Sequence, residues 1–203
     1  TNDALKIAYS LGEVSEIVGL SDIKFKNTTF HSFNNVKVER VVNYQQLVTL
    51  FYNTSDQLLS SKTLREALSY AIPNDFSYGL RNFGPYVPFS FASLGGVGSH
   101  KQDLLHAKEL LDKSKKESES DKKIALTIEA LSQYKAAAEE IANIWKKLDI
   151  DVSTKIVNKI PSRFQVFLGE FNVPKDVDQY ALWHSDQPSN ITHYANLRVD
   201  KLL

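Results

Sequence analysis

"IALTIEALSQYKAAAEEIANIWKKLDIDVSTKIV", residues 124 to 157, decides the fold. Ile124 to Ala130 is a short apolar, β-branched run and reads as a strand. Then Tyr134, Ala137, Ala138, Ile141, Ile144, Trp145 and Leu148 recur at helical spacing and define one apolar face, making this the clearest helix in the chain. Ile150 to Val157 returns to two-residue alternation and a second strand. Strand, helix and strand in succession call for a parallel pair joined by a crossover, which makes this an α/β protein. No internal repeat is visible.

Outward from that unit, "DLLHAKELLDKS" (103 to 114) predicts a helix with Leu104, Ala107, Leu110 and Leu111 inward. The charged run "KSKKESESDKK" (113 to 123) then reads as a solvated loop. "SSKTLREALSYAIP" places Leu64, Ala67, Leu68 and Ala71 on one stripe closed by Pro73. Its start is either a Thr63–Glu66 capping box or a cap from Ser60 or Ser61. Before it, "QLVTLFYNTS" (46 to 55) has apolar residues on both faces and predicts a strand buried inside a sheet. Residues 13 to 22 and 35 to 42 read as short strands. "PSRFQVFLGEF" (161 to 171) reads as a short helix or turn, and "QYALWHSD" (179 to 186) as a last strand. Residues 74 to 99, dense in Gly, Pro and aromatics, read as an ordered loop packed by its own rings.

Composition narrows the function. Of 203 residues, 42% are hydrophobic and 24% charged, ordinary for a packed globular chain. Lys plus Arg and Asp plus Glu both number 24, a balance that argues against a nucleic-acid partner and against docking on anionic lipid. Cysteine is absent, which removes disulfides, thiolate catalysis and cysteine–zinc sites. No run approaches a membrane span of about 20 apolar residues. Because the chain opens on Thr1 and contains no methionine, it reads as a segment excised from a longer protein.

Each chemical motif has a plainer reading beside it. The glycines of "LGGVGS" (94 to 99) satisfy neither the P-loop nor the dinucleotide spacing, and a turn before a helix accounts for them. His184 and His193 bracket Asp186, a set able to ligate zinc or nickel. However, nine residues and Pro188 separate the histidines, so no helical metal pair pre-forms. No G-x-S-x-G elbow is present. Asn27, Asn53 and Asn190 open N-x-[ST] triplets, which arise often by chance. Trp183, read as ending a strand, is followed by His184, Ser185, Asp186 and Gln187. Polar groups beyond strand carboxyl ends are where open α/β sheets take ligands, although tryptophans of this kind are commonly core.

Taken in order, five segments resemble one family, the extracytoplasmic solute-binding proteins of the oligopeptide, dipeptide and nickel ABC importers (family 5). The segments are "ALKIAYSLGEVSEIVGLS", "LVTLFYNTSDQLLSSKTLREALSYAI", "DLLHAKELLDKS", "AAEEIANIWKKLDIDVSTKIV" and "YALWHSDQPSNITHYANLRVDKLL". The resemblance implies a periplasmic-binding-protein-like type II lobe, a mixed sheet flanked by helices. Residues 1–55 would be the end of a first lobe and a hinge crossing, and residues 56–203 a second lobe truncated before its final return segment. It implies no enzyme and no cofactor. It also implies capture of a peptide or similar small solute between two lobes, delivery to an ABC-transporter permease, and an extracytoplasmic location. Membrane association would come only through that permease or a lipid anchor. Trp183, His184 and Asp186 are the ligand-binding residues it implies, Asp186 standing where relatives hold a peptide's amino terminus. Asp149 occupies the place of the family's glycine. The competing reading is a metal- or nucleotide-dependent enzyme domain using His184, His193 or residues 94 to 99; a receptor role without transport is a third.

Overall fold

The computed structural model describes residues 2–20, 23–39, 41–44, 46–76, 79–84, 86–87, 90, 101–118, 123–172 and 178–203. The chain divides into two compact units, Thr1–Val41 and Val42–Leu203.

In the first unit, helix α1 (Asn2–Ser10) is followed by a minimal antiparallel pair, β1 (Lys24–Phe25) and β2 (Thr28–Thr29). Phe30 is its buried centre. It stacks on Phe25 at 5.3 Å, meets Tyr9 edge-on at 5.6 Å and has Phe33 at 6.1 Å. Neither strand expected over 13 to 22 and 35 to 42 forms among the described residues. Alternation alone cannot make a strand without a partner and a core to face, and Val18 and Val41 are instead more than four-fifths exposed.

The second unit is built on a four-stranded sheet in the order β3–β8–β6–β7. Its strands are β3 (Gln46–Tyr52), β6 (Ala125–Leu131), β7 (Asp151–Val157) and β8 (Val166–Asn172). The short pair β4 (Asp75–Phe76) and β5 (Gly79–Leu80) stands apart from it. β6 is parallel to both β7 and β8, as the crossover unit requires, while β3 runs antiparallel to β8. The sheet is therefore mixed. Helix α2 (Lys62–Ala71), α3 (Leu104–Glu117) and α4 (Lys135–Lys146) share one core with it. That core contains Leu64, Leu68, Leu111, Ile128, Ile141, Trp145, Val166 and Leu168.

The helix readings hold in most details. Ser61 is the cap that forms on α2, its hydroxyl accepting from Leu64 N at 3.2 Å. Asp103 caps α3 through His106 N at 2.9 Å. Trp145, fully buried, donates its indole N–H to Leu68 O at 3.2 Å and so ties α4 to α2. Two points on α3 need correction. Leu104 is 41% exposed rather than inward, since it sits on the first turn before the helix meets the core. The helix also continues three residues past Ser114, to Glu117 within the charged run, its last turn closed by Lys115 and Lys116, whose charge complements the helix carboxyl end.

Three strand expectations change. Gln46 to Tyr52 is an edge of the described sheet rather than an interior strand. Its two apolar faces have another cause: Leu50 and Tyr52 face the helices while Phe51 stacks on Phe167 across the sheet. Residues 161 to 171 do not form a helix or turn throughout, because Val166 to Asn172 is the strand between β3 and β6. The continuous apolar run Val166–Phe167–Leu168 is the mark of a strand covered on both faces. Finally, Tyr180–Trp183 is one helical turn, α5, not a strand.

Candidate functional site

Polar side chains gather in two places around the second unit's sheet. Because β6, β7 and β8 run the same way, Leu131, Val157 and Asn172 end at one edge, the carboxyl edge where open α/β sheets accept ligands. There Glu170 receives three donors. The Tyr134 hydroxyl reaches Oε1 at 2.6 Å, the Gln133 amide reaches the same oxygen at 2.8 Å, and the Gln46 amide reaches Oε2. The Tyr134 hydroxyl first, and the Gln133 amide second, hold this carboxyl below its ordinary range against the opposing effect of burial. The result is a pre-oriented anion at the sheet edge. Sequence reading missed it, because the glutamate lay in a segment taken for a helix or turn; the signal that could have found it is the apolar triplet that precedes it.

The second place is the closing stretch, where all three expected site residues lie. Trp183 ends the single turn α5 and is 37% exposed, its indole N–H donated to the buried Gln179 side chain. His184 follows in extended backbone and lies against the Tyr180 ring, centroids 4.4 Å apart. Asp186 N donates to His184 Nδ1 at 3.3 Å, an arrangement that corresponds to the tautomer carrying its hydrogen on Nε2. The Asp186 side chain is exposed, and its carboxylate has no hydrogen bond or ion pair with a described residue. Thus the structure keeps the three in one short segment but removes the strand end on which they were expected to stand.

What holds that segment is Asn190. It is buried, its amide donating to Tyr194 O at 2.8 Å and His184 O at 3.4 Å. Its carbonyl accepts from the Thr192 hydroxyl at 2.8 Å and Tyr194 N at 3.3 Å. The triplet that resembled a glycosylation signal is therefore an internal clamp, with the two polar residues of the triplet bonded to each other. Further on, Ser185 donates from backbone and hydroxyl to the two oxygens of Asp200, at 3.0 and 2.9 Å. Asp200 belongs to a last helical turn, α6 (Leu197–Asp200), capped by Asn196. Thr54, just past β3, donates to the carbonyls of Thr192 and His193, so the far end of the loop is tied to the sheet edge opposite Glu170. Asn53, in the second such triplet, likewise donates to Phe164 O at 2.8 Å.

Among the described residues no three of His, Cys, Asp and Glu gather as a metal site. The glycine-rich stretch 94 to 99 lies outside the described residues. Asp149, in the place of the family's glycine, has φ of 62°, the left-handed conformation glycine adopts most readily after a helix.

A mixed sheet flanked by helices and followed by a clamped polar loop makes the second unit an α/β lobe. The chain belongs to the bacterial extracellular solute-binding proteins, family 5, whose model, described as "family 5 Middle", matches residues 21–192. This is a family of binding proteins rather than enzymes. No curated protein matches the sequence. Solved structures share the fold at low identity. The oligopeptide-binding protein AppA of Bacillus subtilis, in complex with a nonapeptide, is 20% identical with a TM-score of 0.74, over 99% of this chain and 45% of AppA. NikZ of Campylobacter jejuni, in complex with Ni(L-His), is 21% identical with a TM-score of 0.75, over 98% of this chain and 45% of NikZ. The periplasmic binding protein DppA of Helicobacter pylori, in complex with the peptide STSA, is 17% identical with a TM-score of 0.71, over 100% and 43%. The chain thus spans less than half the length of each of these structures.

Proposed function

We propose that this chain supplies one lobe of a two-lobed solute-binding protein that captures a peptide or similar small solute and delivers it to the permease of an ABC importer, outside the cytoplasm. On this reading residues 1–55 are the end of the first lobe and the hinge crossing, residues 56–203 are the second lobe, and the full-length protein is lipid-anchored. The family match over residues 21–192 is the observation that carries the reading. The peptides held by AppA and DppA support a peptide ligand, and the nickel–histidine complex of NikZ supports the same clamp around a compact chelate.

Trp183, His184 and Asp186 are the ligand wall in this proposal. Three features support them. Trp183 is 37% exposed, His184 has one ring nitrogen left to donate, and Asp186 offers a carboxylate without a partner among the described residues, all on a loop that Asn190 clamps. Rigidity matters because a preformed wall loses little entropy on binding. Closure of the first lobe over it would strip water from Asp186 and strengthen its bond to a ligand ammonium.

Such a charge-assisted bond contributes roughly 1.5 to 3 kcal/mol, so Asp186→Ala should weaken binding of a free-amine peptide by about 10- to 150-fold in the full-length protein. The N-acetylated form of the same peptide should lose little. Calorimetric titration of both peptides checks this. Equal losses for the two would refute the ammonium role.

A further inference from the structure

Residues 184 to 203 are bonded closely to one another and sparsely to the rest of the unit. Asn190 gathers His184 O and Tyr194 O, Thr192 donates its hydroxyl to Asn190 Oδ1 at 2.8 Å, and Asp200 holds Ser185. Among the described residues, every hydrogen bond joining this stretch to anything before α5 comes from Thr54. Its backbone N–H donates to Thr192 O at 2.8 Å, and its hydroxyl donates to Thr192 O at 3.0 Å and His193 O at 2.9 Å. His193 has φ of 53°, in the left-handed region, and the two carbonyls flanking its Cα converge on that one hydroxyl.

Thr54 is itself held from both sides. Asn53 N carries the β3–β8 pairing one residue further, donating to Gln165 O at 2.9 Å. The Asn53 side chain donates to Phe164 O at 2.8 Å and accepts from Ser55 N at 3.0 Å. Asp56 then accepts from Leu58 N, Leu59 N and the Gln165 amide, while the Gln165 side-chain carbonyl accepts from Thr127 N of β6 at 2.9 Å. Thr54 thus stands on a platform fixed by β3, β8 and β6. Its branched Cβ restricts χ1, so the hydroxyl has few directions in which to point. Position passes from the sheet to Thr54, then through Thr192 and Asn190 to His184 O.

We propose that Thr54 is the positioning residue of the Trp183–Asp186 wall, its hydroxyl fixing where that loop stands against the sheet. This rests on the ligand role proposed above for the wall. Thr54 acts through the loop rather than on the solute.

Fluorine NMR of the full-length protein carrying fluorotryptophan, beside calorimetric titration with a free-amine peptide, tests the proposal. Trp183 reports the wall and Trp145 the core, their resonances assigned with Trp183→Phe and Trp145→Phe. Thr54→Val keeps the branched shape and the backbone N–H but removes the hydroxyl. It should displace or broaden the Trp183 resonance and leave Trp145 in place. Peptide binding should weaken by roughly threefold to tenfold, the scale of one hydrogen bond. Thr54→Ser, which keeps the hydroxyl, should restore both. Thr192→Val removes the next link and should move Trp183 likewise; if Thr54→Val does not fold, this variant decides alone. An unmoved Trp183, an equal change at Trp145, or no rescue by serine overturns the proposal. A displaced Trp183 with unchanged peptide affinity would leave the tether in place and overturn the ligand role of the wall instead.

Discussion

Asn190 and Glu170 show how much depends on single polar side chains here. Asn190 makes four hydrogen bonds from a buried position and fixes the loop that carries Trp183, His184 and Asp186. Asn190→Ala would leave at least one of those partners unsatisfied, at a cost of about 1 to 3 kcal/mol. Denaturant unfolding should report that loss, and Trp183 fluorescence should report a looser loop. Glu170 sets a pH dependence whose sign follows from its depressed folded pKa. The unfolded carboxyl titrates near its ordinary 4.5 and the folded one lower. Its contribution is therefore complete above pH 4.5 and disappears as pH falls through the folded value. Tyr134→Phe removes the principal donor, so the acid-side fall in stability should become smaller between pH 4.5 and the acid limb. Thermal melts of the two proteins across that range check it, and an unchanged acid slope would remove the Tyr134–Glu170 bond from the account.

At the scale of elements, the sequence told most where a helix sheds one face and least where a strand needs a partner. The stripe from Tyr134 to Leu148 predicted α4 almost residue for residue, because helical hydrogen bonds are local and the apolar face is written within one segment. Residues 35 to 42 alternate as well as many strands do, yet no ladder forms there among the described residues, since pairing depends on a second segment. β8 is the reverse case. Its apolar run is interrupted by Gly169, and a glycine inside a strand weakens the local signal. In the sheet that glycine lies under the Phe167 ring, where an added Cβ would come within 2.4 Å of Cε1. The ring is almost fully buried, stacked on Phe51 and close to Phe164, and has little room to yield. Gly169→Ala should therefore destabilise the chain by about 1 to 3 kcal/mol through overpacking, measured by urea unfolding. A neutral result would show that the β3–β8 pair relaxes freely. Misreading β8 also moved the site argument: Trp183 was placed on a strand end that the chain had already passed at Asn172.

For the molecule as a whole, composition excluded broad classes, and five short segments in order resembled the family whose model matches residues 21–192. The ligand was not legible, since a binding wall is made of ordinary side chains whose meaning depends on what faces them across the cleft. The claim at the centre of this account is that the chain is part of a clamp holding a small solute without changing it. Native mass spectrometry of the full-length protein, purified without denaturation, tests that most directly. The account predicts a stoichiometric mass increment released on unfolding and identifiable as an unmodified peptide or compact solute. Recovery with only a nucleotide bound, or of a bound molecule converted to product, would contradict it.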